Sequence, residues 1–400
     1  MSNDSMKNLI SQEMRGCFDY FWQNSRKQDL TFGLTQDAYP NNRHLCSIAA
    51  TGFALASFVV GIEYNFITYE EGKKAVQEVI DTLKEIPHKA GFFHHFYDDC
   101  DYQKDIHKEI STIDSAILYM GLLAIASYFS GSLKKEAEAL VNRADWTYFM
   151  NLETNVFYMA EIDNRRYAHW DRYAEQLMMY VLASGTPVEK HRVGKIYYDT
   201  MIKSWGSYGD FHYIYTWTGS LFVHQFSHAF IDFRSRYDQD GINWFRNSTQ
   251  ASLAARKYCL DHADEYRSYS ANSWGLSACD TSNGYIGNYG SPPSGLNNTM
   301  HRSDGTVPPY AAVSSIVFTP ENSLAALQYY YSIPNLVGKY GLKESFNLDE
   351  DWIFDRYLGI DKGITLLMLA NYERELIWKL VMQHRIVIDG LKNLEIKQGG

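Results

Sequence analysis

Proline is missing from most of this 400-residue chain: none falls between Pro87 and Pro187 or between Pro187 and Pro292, and six of the nine lie from Pro292 to Pro334. Inside a helix a proline removes a backbone donor and clashes with the preceding turn, at a cost of about 3 kcal/mol. Long proline-free stretches whose apolar residues recur at helical spacing therefore predict a chain of helices. The spacing places them at roughly 8–24, 46–64, 69–85, 112–129, 133–150, 170–184, 189–204, 222–233, 243–260, 321–332 and 363–383. Strand-like alternation is nearly absent, so the expected fold class is all-α.

Nine Trp, 31 Tyr and 21 Phe, with 46% hydrophobic residues, exclude a disordered or low-complexity chain, which lacks the apolar surface to offset ordering entropy. Leu45 to Ile62 is uncharged and at the short end of what spans a bilayer, but it holds Ser47, Thr51 and Ser57 and runs straight into Glu63. A helix apolar all round is also expected inside a large protein, and that reading is preferred. The net charge of −10 without a basic cluster argues against a nucleic-acid partner. Cys17, Cys46, Cys100, Cys259 and Cys279 are odd in number, scattered and without a C-x-x-C pair, as for reduced thiols. The first residues show no basic-then-apolar signal pattern, so a cytoplasmic protein is expected, with no membrane partner and an oligomeric state left open.

No Ser/Gly linker divides the chain before residue 280. Thr281 to Ser315 is the one long irregular region, rich in Gly, Pro, Asn and Ser, and its tyrosines suggest a packed lid. Eleven or twelve helices in pairs point to a single (α/α)6 barrel spanning residues 1–400, with the lid near 281–315.

Carboxylates embedded in apolar helices carry the chemical information, because burying one is costly unless it is paired or used. The run from His107 to Asp114 leads into an apolar helix; Ser111 followed by Asp114 resembles a capping box, while Glu109 falls at the helix mouth. In the run from Tyr167 to Tyr180, Asp171 and Glu175 share a helix face, and Glu175 leads into LMMYVLA, as a half-buried acid would. His224 and His228 have the i,i+4 spacing zinc favours, yet no H-E-x-x-H or third ligand accompanies them, so no metal is expected. Asp361 stands on a Gly-flanked turn at a helix start, where an N-cap is the plain alternative. Templates for acyl transfer, nucleotide hydrolysis and nicotinamide chemistry are missing, and no cofactor is expected.

The strings SIAATGF (47–53), GFFHHFYD (91–98), EISTIDSAIL (109–118), RADWTYF (143–149), HQFSHAFIDFR (224–234), NSWGLSACD (272–280), DGTVPPYAA (304–312), FTPENSLAAL (318–327) and GIDKGITLLMLANYE (359–373) closely resemble the bacterial glucoamylase-like family, which includes glycoside hydrolase family 144, the β-1,2-glucan hydrolases. It is also similar to a transglycosylating domain of cyclic β-1,2-glucan synthases. The resemblance implies an (α/α)6 barrel and an anomer-inverting, metal-free hydrolase of β-1,2-linked glucose. Carried over residue by residue, W-x-x-Y-A-E implies the general acid at Glu175. G-I-D-x-G implies the base at Asp361, and E-x-S-T-I-D implies pocket carboxylates at Glu109 and Asp114. Inversion needs one protonated and one ionised carboxyl roughly 6.5–9.5 Å apart, or more if a sugar hydroxyl relays the proton. Two departures fall on loops expected at the pocket: Cys279 to Gly284 where the family often has Asp-Gly-Pro, and Lys362 where Gln is commoner.

The expected substrate is therefore a neutral oligosaccharide or glucan, with a glycosyltransferase acting on the same chains or a non-catalytic glucan-binding protein as alternatives. Aromatics on polar segments fit it, since their faces pack against sugar rings. Trp170, Asp171, His224, Trp274, Asp280 and Tyr285 complete the expected substrate-binding set.

Overall fold

The computed structural model describes residues 3–104 and 108–399, so His107 lies outside it. Fourteen α-helices occur among the described residues: α1 (Asn3–Asn24), α2 (Ile48–Glu63), α3 (Tyr69–Glu85), α4 (Thr112–Tyr128), α5 (Ser132–Asn142), α6 (Leu177–Gly185), α7 (Ile196–Asp199), α8 (Phe226–Phe230), α9 (Trp244–Asp261), α10 (Pro309–Ser314), α11 (Pro320–Ser332), α12 (Gly359–Arg374), α13 (Leu376–Val381) and α14 (Arg385–Asn393). The even-numbered helices from α2 to α12 are buried along most or all of their length. The odd-numbered helices up to α11 keep a wet face.

This alternation follows the sequence. Helix α2, the uncharged stretch, has no polar face to offer water and packs against both α4 and α12. Helix α4 continues to α6, and α10 packs on α12. Between them, the Met178 amide of α6 donates to Ser227 Oγ of α8 at 3.1 Å, and the Gln225 side chain at the start of α8 donates to the Ala311 carbonyl of α10 at 2.7 Å. Where α2 crosses α4, a Cβ on Gly121 would stand 2.1 Å from the Gly52 carbonyl oxygen, so these helices meet backbone to backbone. Ser47 and Ser111 cap them, accepting from the amides of Ala50 at 3.2 Å and Asp114 at 3.3 Å. No described helix is long and apolar enough to cross a membrane.

Several expectations need correction. The segment read as helix 170–184 becomes helical only at Leu177; that of 133–150 stops at Asn142; and 189–204 holds little beyond the single turn of α7. Strands were underread: Val156–Ile162 pairs with Arg165–His169, and Trp205–Tyr208 pairs with Phe211–Ile214. In the first hairpin both turn residues, Asp163 and Asn164, take positive φ, the geometry that matches strand twist in a two-residue turn. The apolar run V-F-Y-M-A conceals this strand from a search for alternation. In the 281–315 region Tyr289, Ser294 and Val307 are buried while 282–285 and 296–299 are exposed, and it closes in α10, which begins on Pro309 where a missing amide hydrogen costs nothing.

Candidate active site

The connector between the Arg165–His169 strand and α6 forms one wall of a cleft of about 570 Å3, to which Trp170, Asp171, Arg172, Tyr173 and Glu175 contribute; Thr216, Trp217 and Phe222 also line it. Local and long-range hydrogen bonds hold this connector out of helical form. The Trp170 indole donates to Thr112 Oγ1 at 3.0 Å. The Gln176 amide accepts from the Ala174 N–H at 2.8 Å and donates to the Arg172 carbonyl at 2.7 Å, and Ser227 Oγ donates to the Glu175 carbonyl at 2.6 Å. Asp171 and Glu175 therefore do not share a helix face, although both reach the cleft. Glu175 is half-buried. Burial pushes its carboxyl from the ordinary 4.5 up to about 7; a backbone hydrogen bond works against the rise and the charge of Asp114 adds to it.

A second group surrounds Asp361. It occupies the first turn of α12, whose N-cap is Leu358, so the plain capping alternative does not hold. Asp361 is buried beside Glu344, Glu13, Lys362 and Tyr310 around a small enclosed cavity of about 10 Å3. Burial, and next the charge of Glu344, push the Asp361 carboxyl well above its usual range, with Lys362 opposing. Glu344 is pushed up to about 8 by burial and then by Asp280. Two such carboxyls favour holding a single proton between them. Glu344 accepts the Asp280 amide at 2.8 Å and also bonds the Ser345 hydroxyl, while Asp280 pairs with Arg356 at 2.9 Å. Asp361 Oδ2 is buried without a hydrogen-bond partner, a state that native proteins tolerate mainly where water, an ion or a ligand completes the set. Lys362 Nζ pairs with Glu13 at 3.1 Å and donates to the carbonyls of Leu342 at 2.6 Å and Tyr340 at 3.2 Å.

The third group centres on His95, whose ring nitrogens stand 3.5 Å from Glu109 and 3.6 Å from Asp114. Burial disfavours the imidazolium, but Asp114 and then Glu109 outweigh it and lift the pKa to about 9. Asp114 also accepts from the Ser111 hydroxyl and donates its amide to Ser111 Oγ, so Ser111 serves as the N-cap of α4. The three groups lie within charge–charge reach in series: Asp114 is felt at Glu175 and at Asp37, and Asp37 is felt at Asp361. Tyr285 faces Asp280 across the hairpin of Cys279–Thr281 and Gly284–Ile286. Its ring is half exposed, yet burial of the phenol, followed by the Asp361 charge, raises its pKa well above normal.

Two expected substrate-binding residues are not in this set. His224 is 3% exposed, touches Tyr173 Oη at 3.3 Å and does not line the cleft; burial drops its pKa to about 3. His228, likewise buried, bonds Ser248 at 3.0 Å. Trp274 is fully buried, with its backbone clasped by the Tyr330 hydroxyl. In the other direction, Asp37, His95, Glu344 and Arg356 went unassigned. Only His95 carried a signal, lying within GFFHHFYD; the others acquire their character from distant backbone packed against them.

The Glycoamylase (glucoamylase) family model matches residues 167–385. An exo β-1,2-glucooligosaccharide sophorohydrolase (non-reducing end) of Parabacteroides distasonis is 24% identical over 441 residues, which cover 97% of this chain and 58% of that protein. This chain thus spans somewhat over half the length of the curated relative it matches. The endo-β-1,2-glucanase of Chitinophaga pinensis, solved with sophorotriose and glucose, superposes with a TM-score of 0.88 at 24% identity, covering 98% of each chain. A β-1,2-glucanase structure from Parabacteroides distasonis gives 0.86 at 22% identity, covering 98% of this chain and 60% of the other. The mostly helical architecture is thus that of glucoamylase-like structures. With the family model taking in over half of its residues, including the acid-bearing connector and α12, the chain belongs to the bacterial glucoamylase-like family.

Proposed function

We propose that this chain hydrolyses β-1,2-linked glucans or gluco-oligosaccharides with inversion, Glu175 acting as general acid and Asp361 as general base. The observation that carries the reading is Glu175 itself: a half-buried carboxyl whose pKa is lifted to about 7, on the wall of a cleft large enough for sugar rings. Such a group is about half protonated at neutral pH and can donate to a departing glycosidic oxygen. The base must be ionised. Asp361 and Glu344, favouring a single proton between them, keep one carboxylate ionised as a pair, and the orphan Oδ2 of Asp361 offers the lone pair. Glu175 lines the open cleft, where it would donate to the leaving oxygen, and Asp361 lines a separate enclosed cavity, from which it would take the attacking water's proton through a sugar hydroxyl. The β-1,2-glucan-degrading relatives supply the linkage.

The same proposal takes the even-numbered helices as the inner ring of an (α/α)6 barrel, which their successive contacts support, and the 281–315 segment as its lid. Incubation with a panel of linkage-defined gluco-oligosaccharides, followed by product sizing and proton NMR, tests the reaction. Shorter products from β-1,2 chains alone, appearing first as the α-anomer, are expected. Longer or cyclic products would instead indicate glycosyl transfer, and β-anomer first would remove the inverting assignment.

A further inference from the structure

A second cavity, of about 540 Å3, shares no lining residue with the Glu175 cleft; Trp205, His212, Tyr237, Asp240, Arg246 and Gln250 line it. Two of its walls are large aromatics left in water, Trp205 at 54% and Tyr237 at 44% exposure, carried by separate two-stranded ribbons. Trp205 is not a loose surface side chain. Its ring stacks on His212 at 5.1 Å and 15°, and His212 Nδ1 is fixed by Ser207 Oγ at 2.8 Å. A platform already held flat loses little entropy when something settles on it. Arg246 and Gln250, one turn apart on α9, form no side-chain hydrogen bond among the described residues, so their donors are available.

This combination selects the ligand. An apolar molecule would strand the Arg, Gln and Asp groups, whereas an anion would meet the carboxylates of Asp210 and Asp240. A neutral pyranose chain satisfies both sets, its ring faces on the aromatics and its hydroxyls on the amide, guanidinium and carboxylates. The cavity is also coupled to the cleft. Arg172, a cleft residue, lies over Trp217 at 5.0 Å and donates to Ser204 Oγ at 3.3 Å, one residue before Trp205. The Ile202 amide bonds the Asp171 carbonyl at 2.8 Å.

We propose that Trp205 and Tyr237 form a non-catalytic glucan-binding site that holds the part of a long substrate chain lying outside the cleft. This rests on the hydrolase reading above, and binding is therefore measured apart from turnover. Removing one aromatic anchor is expected to raise KM for long β-1,2-glucan about tenfold. The variants W205A and Y237A should do so with kcat, melting temperature and activity on a β-1,2-linked glucotriose unchanged, and W205F should restore most of the loss. In native gels containing β-1,2-glucan, the parent should be retarded and W205A much less so. Equal retardation of W205A and parent, no retardation of the parent, or a matching KM rise on the trisaccharide overturns the site. A protein that is retarded through Trp205 but hydrolyses no β-1,2-glucan overturns the hydrolase reading alone.

Discussion

Replacing Glu175 by Gln separates the two consequences of a raised carboxyl pKa. The rise from 4.5 to about 7 corresponds to roughly 3 kcal/mol of resistance to ionisation in the folded state. Below pH 4.5 the carboxyl is neutral in folded and unfolded chains alike and nothing is lost. Between about 4.5 and 7 the unfolded chain ionises while the folded protein keeps its proton, so stability falls across that window and levels off above 7. Gln keeps the shape and is neutral throughout. Urea unfolding should therefore find E175Q equal to the parent near pH 4.5 and up to about 3 kcal/mol more stable at pH 8. Its kcat on β-1,2-gluco-oligosaccharides should fall by about 10²–10⁴ through loss of the donated proton. For the parent, kcat/KM should drop tenfold per pH unit above about 7. A stability gap that is the same at both pH values, or a variant retaining more than about a tenth of parental activity, refutes the argument.

Four further outcomes follow from the geometry. K362M leaves Glu13 buried without its cation and should destabilise by about 3–5 kcal/mol, partly recovered in E13Q/K362M, as read by a urea double-mutant cycle. G121A drives a methyl into the Gly52 carbonyl and should cost about 3 kcal/mol or more, whereas G194A, with nothing within 4 Å, should leave the melting temperature near that of the parent. W217A removes a half-exposed ring at the cleft and should raise KM about tenfold with little change in kcat. His95, lifted to about 9, stabilises the fold fully below 6.5 and loses that contribution as pH passes 9. The parent's urea midpoint should consequently fall more than that of H95Q between pH 6 and 9.5.

The half-burial of Glu175 was legible because a carboxylate running into LMMYVLA is out of place on a surface helix. The backbone beneath it was misread, since W-D-R-Y-A-E has helical spacing and nothing local announces that Gln176 will clasp Ala174 and Arg172. Asp361 could be found on its Gly-flanked turn. Its partner Glu344 could not, because that residue sits among short pairings and becomes an acid of raised pKa only through the Asp280 amide and the burial around it. His224 and Trp274 mark the opposite error: polar or aromatic identity suggested contact with sugar, but tertiary packing used both for the interior.

The Glu13–Lys362 pair fastens the chain like a buckle with its two halves sewn near opposite ends. During synthesis α1 is made before α12, and it carries a carboxylate destined for the interior whose cation is 349 residues away. Without α12, packing α1 would bury the Glu13 carboxylate with hydrogen bonds from Tyr331 and Leu342 but no cation. Closing the buckle and completing the Asp361 environment both require α12, so a chain lacking α12 would carry the proposed acid with neither the proposed base nor a cation for Glu13.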